Sequence, residues 1–152
     1  MKSLRNAAVL QSILDRISSV PPDCPARWGR MTAPQMICHL TDSFLVAMGG
    51  RNASMATGIF QRTAMKFGGL YVPLPWPKGV PTRPEIDQRV GGTPPAEFEA
   101  DRARLIAAIG RFTAQQCDFE WRPHPIFGNM NQWEWMRWGY LHTDHHLRQF
   151  RR

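Results

Sequence analysis

Between Arg51 and Thr93 lies a stretch of about 43 residues that carries Pro73, Pro75, Pro77, Pro81 and Pro84. Each proline fixes its own φ and removes a backbone donor, so most of this stretch must be loop. A short helix from about Met55 to Phe67 fits ahead of the prolines, closed by Gly68-Gly69. Connections this long are uncommon in compact domains and are often functional. They are also what a helical bundle needs when the two helices on either side run parallel. At 152 residues the chain has the size of a single domain spanning 1–152, able to bury a substantial core.

Four segments around this connection have helical spacing. The first runs from about Leu4 to Ser18, with Ser3 as its N-cap and a one-sided stripe that includes Leu10, Ile13, Leu14 and Ile17. The second opens on Thr32-Ala33-Pro34-Gln35, a T-x-x-Q capping box with proline in the first turn, and ends at Gly49-Gly50. Thr93-Pro94-Pro95 starts the third, whose inner face is Phe98, Leu105, Ile106, Ile109 and Phe112 and which ends near Gln115. The fourth has the strongest entry signal: Asn131 as cap, Glu134 three residues on, and Met130 and Trp135 at the positions of a hydrophobic staple. It runs to the C-terminus, where Arg151 and Arg152 suit the negative end of its dipole. Strand signals are weak throughout, so the expected class is all-α.

Composition narrows the setting. No apolar run reaches the ~20 residues of a membrane span. The N-terminal segment is interrupted by Asn6, Gln11, Ser12 and Asp15, which marks an amphipathic helix in place of a signal peptide, and a cytoplasmic protein is expected. Cys24, Cys38 and Cys117 form neither a disulfide framework nor a Cys-x-x-Cys zinc signature. The formal charge is +7 and sixteen of the 19 basic residues are arginine, but they are spread along the chain without a block of like charge. That pattern fits a basic surface or an anionic small-molecule ligand better than nucleic acid, for which no reading motif is present.

The fourth helix can be read by angle. With Trp135 at zero, Glu134, Arg137, Asp144 and Arg148 fall between about 180° and 260°, a polar arc that reads as the solvent face. His142 and His146 fall at about −20° and 20°, on the inward side, and His145 at about −80°, on the boundary. His142 and His146 are four apart, a spacing that lets two imidazoles meet one metal ion. A third ligand must come from another helix. His39 lies on the second, beside Met36, Leu40 and Phe44. Three histidines and an open position form a catalytic-type zinc arrangement that would also accept nickel, iron or manganese. A histidine next to an apolar stripe serves equally well as a hydrogen-bonded core residue, and periodicity does not separate the two. Gln149, at about −40°, and Trp138, at about −60°, point the same way and are candidates to line a site. Asp42 is a candidate to orient an imidazole from behind, His124 to close a loop, and Cys38, beside His39, a weak candidate for chemistry.

Two stretches carry a resemblance. Trp28-Gly29-Arg30-Met31-Thr32 through His39-Leu40-Thr41-Asp42, and His124-Pro125-Ile126-Phe127-Gly128 with Trp135 and His142 to Gln149, resemble the DinB-like (DinB/YfiT) superfamily, in a branch of unknown function. The resemblance implies an up-down-down-up four-helix bundle, usually a homodimer, with a divalent metal held by histidines that map onto His39, His142 and His146. Zinc or nickel is the first expectation for the metal, ahead of iron or manganese. It further implies a metal-dependent, thiol-dependent transferase or a hydrolase acting on a small molecule, with an anionic low-molecular-weight thiol as co-substrate. A metal- or ligand-binding module without turnover is the alternative, and a nucleic-acid-binding bundle a distant third.

Overall fold

In a computed structural model of the chain, residues 1–56 and 58–152 are described. Five α-helices are present among them: α1 (Ala7–Ser18), α2 (Ala33–Ala47), α3 (Ile59–Lys66), α4 (Phe98–Phe112) and α5 (Gln132–Gln149). The described residues contain no strand, only an isolated bridge between His124 and Gly128. The class is all-α. No described helix is long and apolar enough to cross a membrane.

The capping signals decide where α2 and α5 begin. Thr32 accepts from Gln35 N while the Gln35 side chain accepts from Thr32 N, and Asn131 and Glu134 make the same reciprocal pair at α5. Each box satisfies two backbone donors that would otherwise be unpaired. Behind these starts the apolar faces meet. Phe44 packs edge-on against Phe112, 4.8 Å between centroids, and against Trp138 at 5.6 Å. Trp135, Ile13, Ile17, Leu105 and Leu147 are fully enclosed in the same cluster. α2 lies along α4 and α1 along α5, with further contact between α1 and α4 and between α2 and α5.

Several boundaries differ from the sequence reading, each for a tertiary reason. The first helix starts at Ala7 with Asn6, not Ser3, as its cap, because Leu4 is drawn onto α5 by a bond from its N–H to the Met136 carbonyl, 3.0 Å. Glu97, not Thr93, caps the third, accepting from Ala100 N at 2.8 Å, because Thr93 is engaged by Asp42. That helix stops at Phe112, where the Thr113 hydroxyl donates to the Ile109 carbonyl, short of Gln115. The short helix in the crossover starts at Ile59, and Thr57, inside the expected span, lies outside the described residues. Gly68-Gly69 do not close it: they sit within a π-helical turn, Phe67–Tyr71, that continues directly from Lys66. Gly69 is there for contact, since a Cβ on it would stand 2.8 Å from Phe127 Cζ.

The polar arc of α5 is not a solvent face either. Glu134 and Arg137 are each 5% exposed. The π-helical turn and the N-terminal segment cover them: Tyr71 Oη donates to Glu134 at 2.9 Å, and Arg137 donates to the carbonyls of Leu70 (3.2 Å) and Lys2 (2.6 Å). Asp144 is held between Arg16 (2.8 Å) and Arg148 (2.9 Å).

Candidate metal centre

α2 and α5 bring His39, His142 and His146 together, with one ring nitrogen from each lying within 4.8 Å of the other two. His39 is 3% exposed, while His142 and His146 are half-buried and open onto a pocket. The Nε2 atoms of His39 and His142 are 3.3 Å apart.

Hydrogen bonds behind two of the rings set their tautomers. His39 Nδ1 is 2.9 Å from the carbonyl oxygen of Ile86, which can only accept, so Nδ1 carries the proton and Nε2 a lone pair. His146 Nδ1 is 2.9 Å from Gln149 Oε1. The Gln149 amide is itself oriented, because its Nε2 donates to the Trp28 carbonyl at 2.8 Å. Its oxygen therefore faces His146, which must donate from Nδ1 and keep a lone pair on Nε2. Gly29 allows this close approach: a Cβ there would stand 2.9 Å from Gln149 Nε2, on a backbone with φ +78. His142 Nδ1 is buried without a hydrogen-bond partner among the described residues.

Two imidazole lone pairs at 3.3 Å repel unless a proton or a cation lies between them. A tetrahedral ion with bonds of about 2.0–2.1 Å to nitrogen separates its donor atoms by about 3.3–3.4 Å. The His39–His142 spacing fits that requirement. Burial pushes the pKa of all three rings down, most strongly for His142 and His146, where the neighbouring imidazoles of the cluster add to the effect. At His39 the Ile86 carbonyl opposes the shift without cancelling it. The rings are therefore neutral near pH 7, the form that ligates metal.

The cluster forms the floor of a pocket of about 870 Å³. Trp138 stands 5.1 Å from His142 between centroids and walls the floor, the place its helical angle predicts. Trp76, from the crossover, also packs against His142, at 5.9 Å between centroids, and is fixed by donating Nε1–H to the Gly69 carbonyl at 2.7 Å. Sequence reasoning missed Trp76. Its only signal is a tryptophan between Pro75 and Pro77, and nothing in that pattern says where the loop returns.

The other candidates separate clearly. Gln149 lines the site and holds His146. Asp42 is fully buried yet touches no imidazole by hydrogen bond. It accepts from Thr93 N (2.8 Å), Thr93 Oγ1 (2.7 Å), Gln88 Nε2 (3.0 Å) and Arg51 (3.3 Å), and so clamps both ends of the crossover to α2. That clamp brings in the short 3₁₀ turn Pro84–Ile86, whose last carbonyl holds His39. His124 closes a loop: its Nδ1 accepts from Ile126 N and Phe127 N, both at 3.1 Å, and burial takes its pKa down to about 3. His145 lines the pocket beside Trp28, 5.7 Å between centroids, outside the cluster. Cys38 faces away toward Asp101, and burial, with that carboxylate, pushes its thiol up to about 12, too high for thiolate chemistry. All three cysteines are free.

No curated protein and no solved structure matches this chain. A family model described as a protein of unknown function, DUF1569, matches residues 7–152, so the chain belongs to the DUF1569 family.

Proposed function

We propose that His39, His142 and His146 bind one divalent metal ion and that the protein uses it on a small molecule, as a metal-dependent, thiol-dependent transferase or hydrolase of DinB-like type. The observation that carries this reading is the convergence of one ring nitrogen from each of three histidines, with two of the rings held by the Ile86 carbonyl and the Gln149 amide so that Nε2 keeps its lone pair. We read α1, α2, α4 and α5 as the four helices of an up-down-down-up bundle. The pairing of α2 with α4 and α1 with α5, and the long crossover between α2 and α4, support that order. Zinc or nickel suits three neutral imidazoles best, and iron or manganese is also compatible.

A divalent ion with three protein ligands and an open position acts as a Lewis acid and lowers the pKa of a bound water or thiol towards neutrality. The chain's own contribution is positional. Ile86 and Gln149 hold two imidazoles in the ligating tautomer, while Trp76 and Trp138 pack against His142.

Elemental analysis of purified protein beside His39→Ala and His142→Ala tests the reading. One equivalent of divalent metal is expected in the parent and a loss of at least ninety per cent, roughly, in each variant. A parent that neither carries nor takes up metal overturns it.

A further inference from the structure

The walls above the histidine cluster differ sharply from its floor. Met31, Val72, Ile126 and Phe127 line them, and the crossover adds Leu74 and Val80. Leu74 is 68% exposed and Val80 50%, and Met65, also on the wall, is 43% exposed. Large apolar side chains held open to water around one concavity mark a ligand surface, and a pocket of this size suits a small molecule.

The cations of this region stand at the mouth, apart from the apolar walls. Arg89 is committed to Asp87, 2.8 Å away, and Arg83 to the Ser54 hydroxyl. Lys78 lies over the Trp28 ring at 4.7 Å. Among the described residues, only Arg89 of these cations has an anionic partner at salt-bridge distance; Arg83, Lys78 and Arg30, an exposed residue that also lines the pocket, keep their positive charge at the rim. At the bottom the polar groups offered to a ligand are the imidazoles.

The geometry points to a substrate with an apolar body, an alkyl or aryl group of several carbons, and one polar reacting group at its end. The body lies along Leu74, Val80 and Phe127, and the polar end reaches His39, His142 and His146. This deepens the function proposed above and rests on it only for which end reacts.

Straight-chain primary alcohols from ethanol to octanol provide the probe, because a hydroxyl can either donate to a bare Nε2 or ligate a metal. Binding is followed by calorimetry on the purified full chain, with and without chelator. Affinity is expected to rise about two- to fourfold with each added methylene. Leu74→Asp and Val80→Asp, both at exposed positions, are expected to weaken octanol about tenfold while leaving ethanol and the thermal midpoint unchanged. Affinity independent of chain length overturns the inference, as does a length dependence unaltered in both variants, which would place the chain elsewhere. If no metal loads but the dependence on length and on Leu74 persists, the metal reading fails and this one stands. If metal loads and the dependence is absent, this one fails alone.

Discussion

At the scale of single residues, the centre depends on side chains that touch no ligand. Gln149 is held by the Trp28 carbonyl and in turn holds the proton on His146 Nδ1. Gln149→Leu keeps the volume and removes the acceptor, leaving that N–H unpaired. Metal affinity is expected to fall about 10- to 100-fold, with stoichiometry recovered at high metal concentration. Competition against a chromogenic chelator measures it, and an unchanged affinity would show that Gln149 does not orient the ring. Among the histidines, angle alone selects His142 and His146 over His145; in the structure the first two lie in the cluster with His39 and His145 stands beside Trp28. His39 was legible as a candidate third ligand mainly through resemblance, since a histidine beside an apolar stripe has a second, purely structural use. His124 exemplifies that use, spending its ring nitrogen on two loop N–H groups.

At the scale of elements, capping chemistry was readable and tertiary capture was not. The boxes at Thr32 and Asn131 need only residues within one turn, and both helices start there. Ser3 and Thr93 also have cap chemistry, but distant partners take their segments: Met136 bonds Leu4, and Asp42 binds Thr93. The polar arc of α5 misled for the same reason, because periodicity tells which side is polar and not whether a loop will cover it. The crossover is the element least visible beforehand and the one most tightly fastened. Asp42→Ala removes the acceptor for Thr93, Gln88 and Arg51 together. We expect a loss of about 2–3 kcal/mol in urea unfolding, since Arg51 stays partly hydrated, and new proteolytic cleavage within 51–93. Cleavage no faster than in the parent would mean that the crossover is fastened elsewhere. Asp42→Asn, which keeps one accepting oxygen, should fall between the two.

At the scale of the whole molecule, five buried or half-buried imidazoles make stability a function of pH. His124 gains a proton only near pH 3 when folded, against an ordinary value of 6.5. Above 6.5 neither form is protonated and its contribution is fully present. As pH falls from 6.5 towards 3, the unfolded chain binds a proton that the folded chain does not, and stability drops. His39, His142, His145 and His146 are shifted in the same direction and add to the loss. In His124→Asn, whose amide oxygen can still accept from Ile126 and Phe127, the loss between neutral pH and about pH 5 should shrink by about 2 kcal/mol. Urea titrations with chelator present measure it, and identical losses in both proteins would refute the assignment. The carbonyl of Ile86 has a consequence of another kind. It is main chain, so side-chain replacement along 84–86 leaves it in place, and an alanine scan would pass over one of the supports of His39 without a signal. Homologues could vary freely in letters there while conserving the path of the chain, and only a change of loop length, or an amide-to-ester exchange that weakens the acceptor, would expose what that atom does.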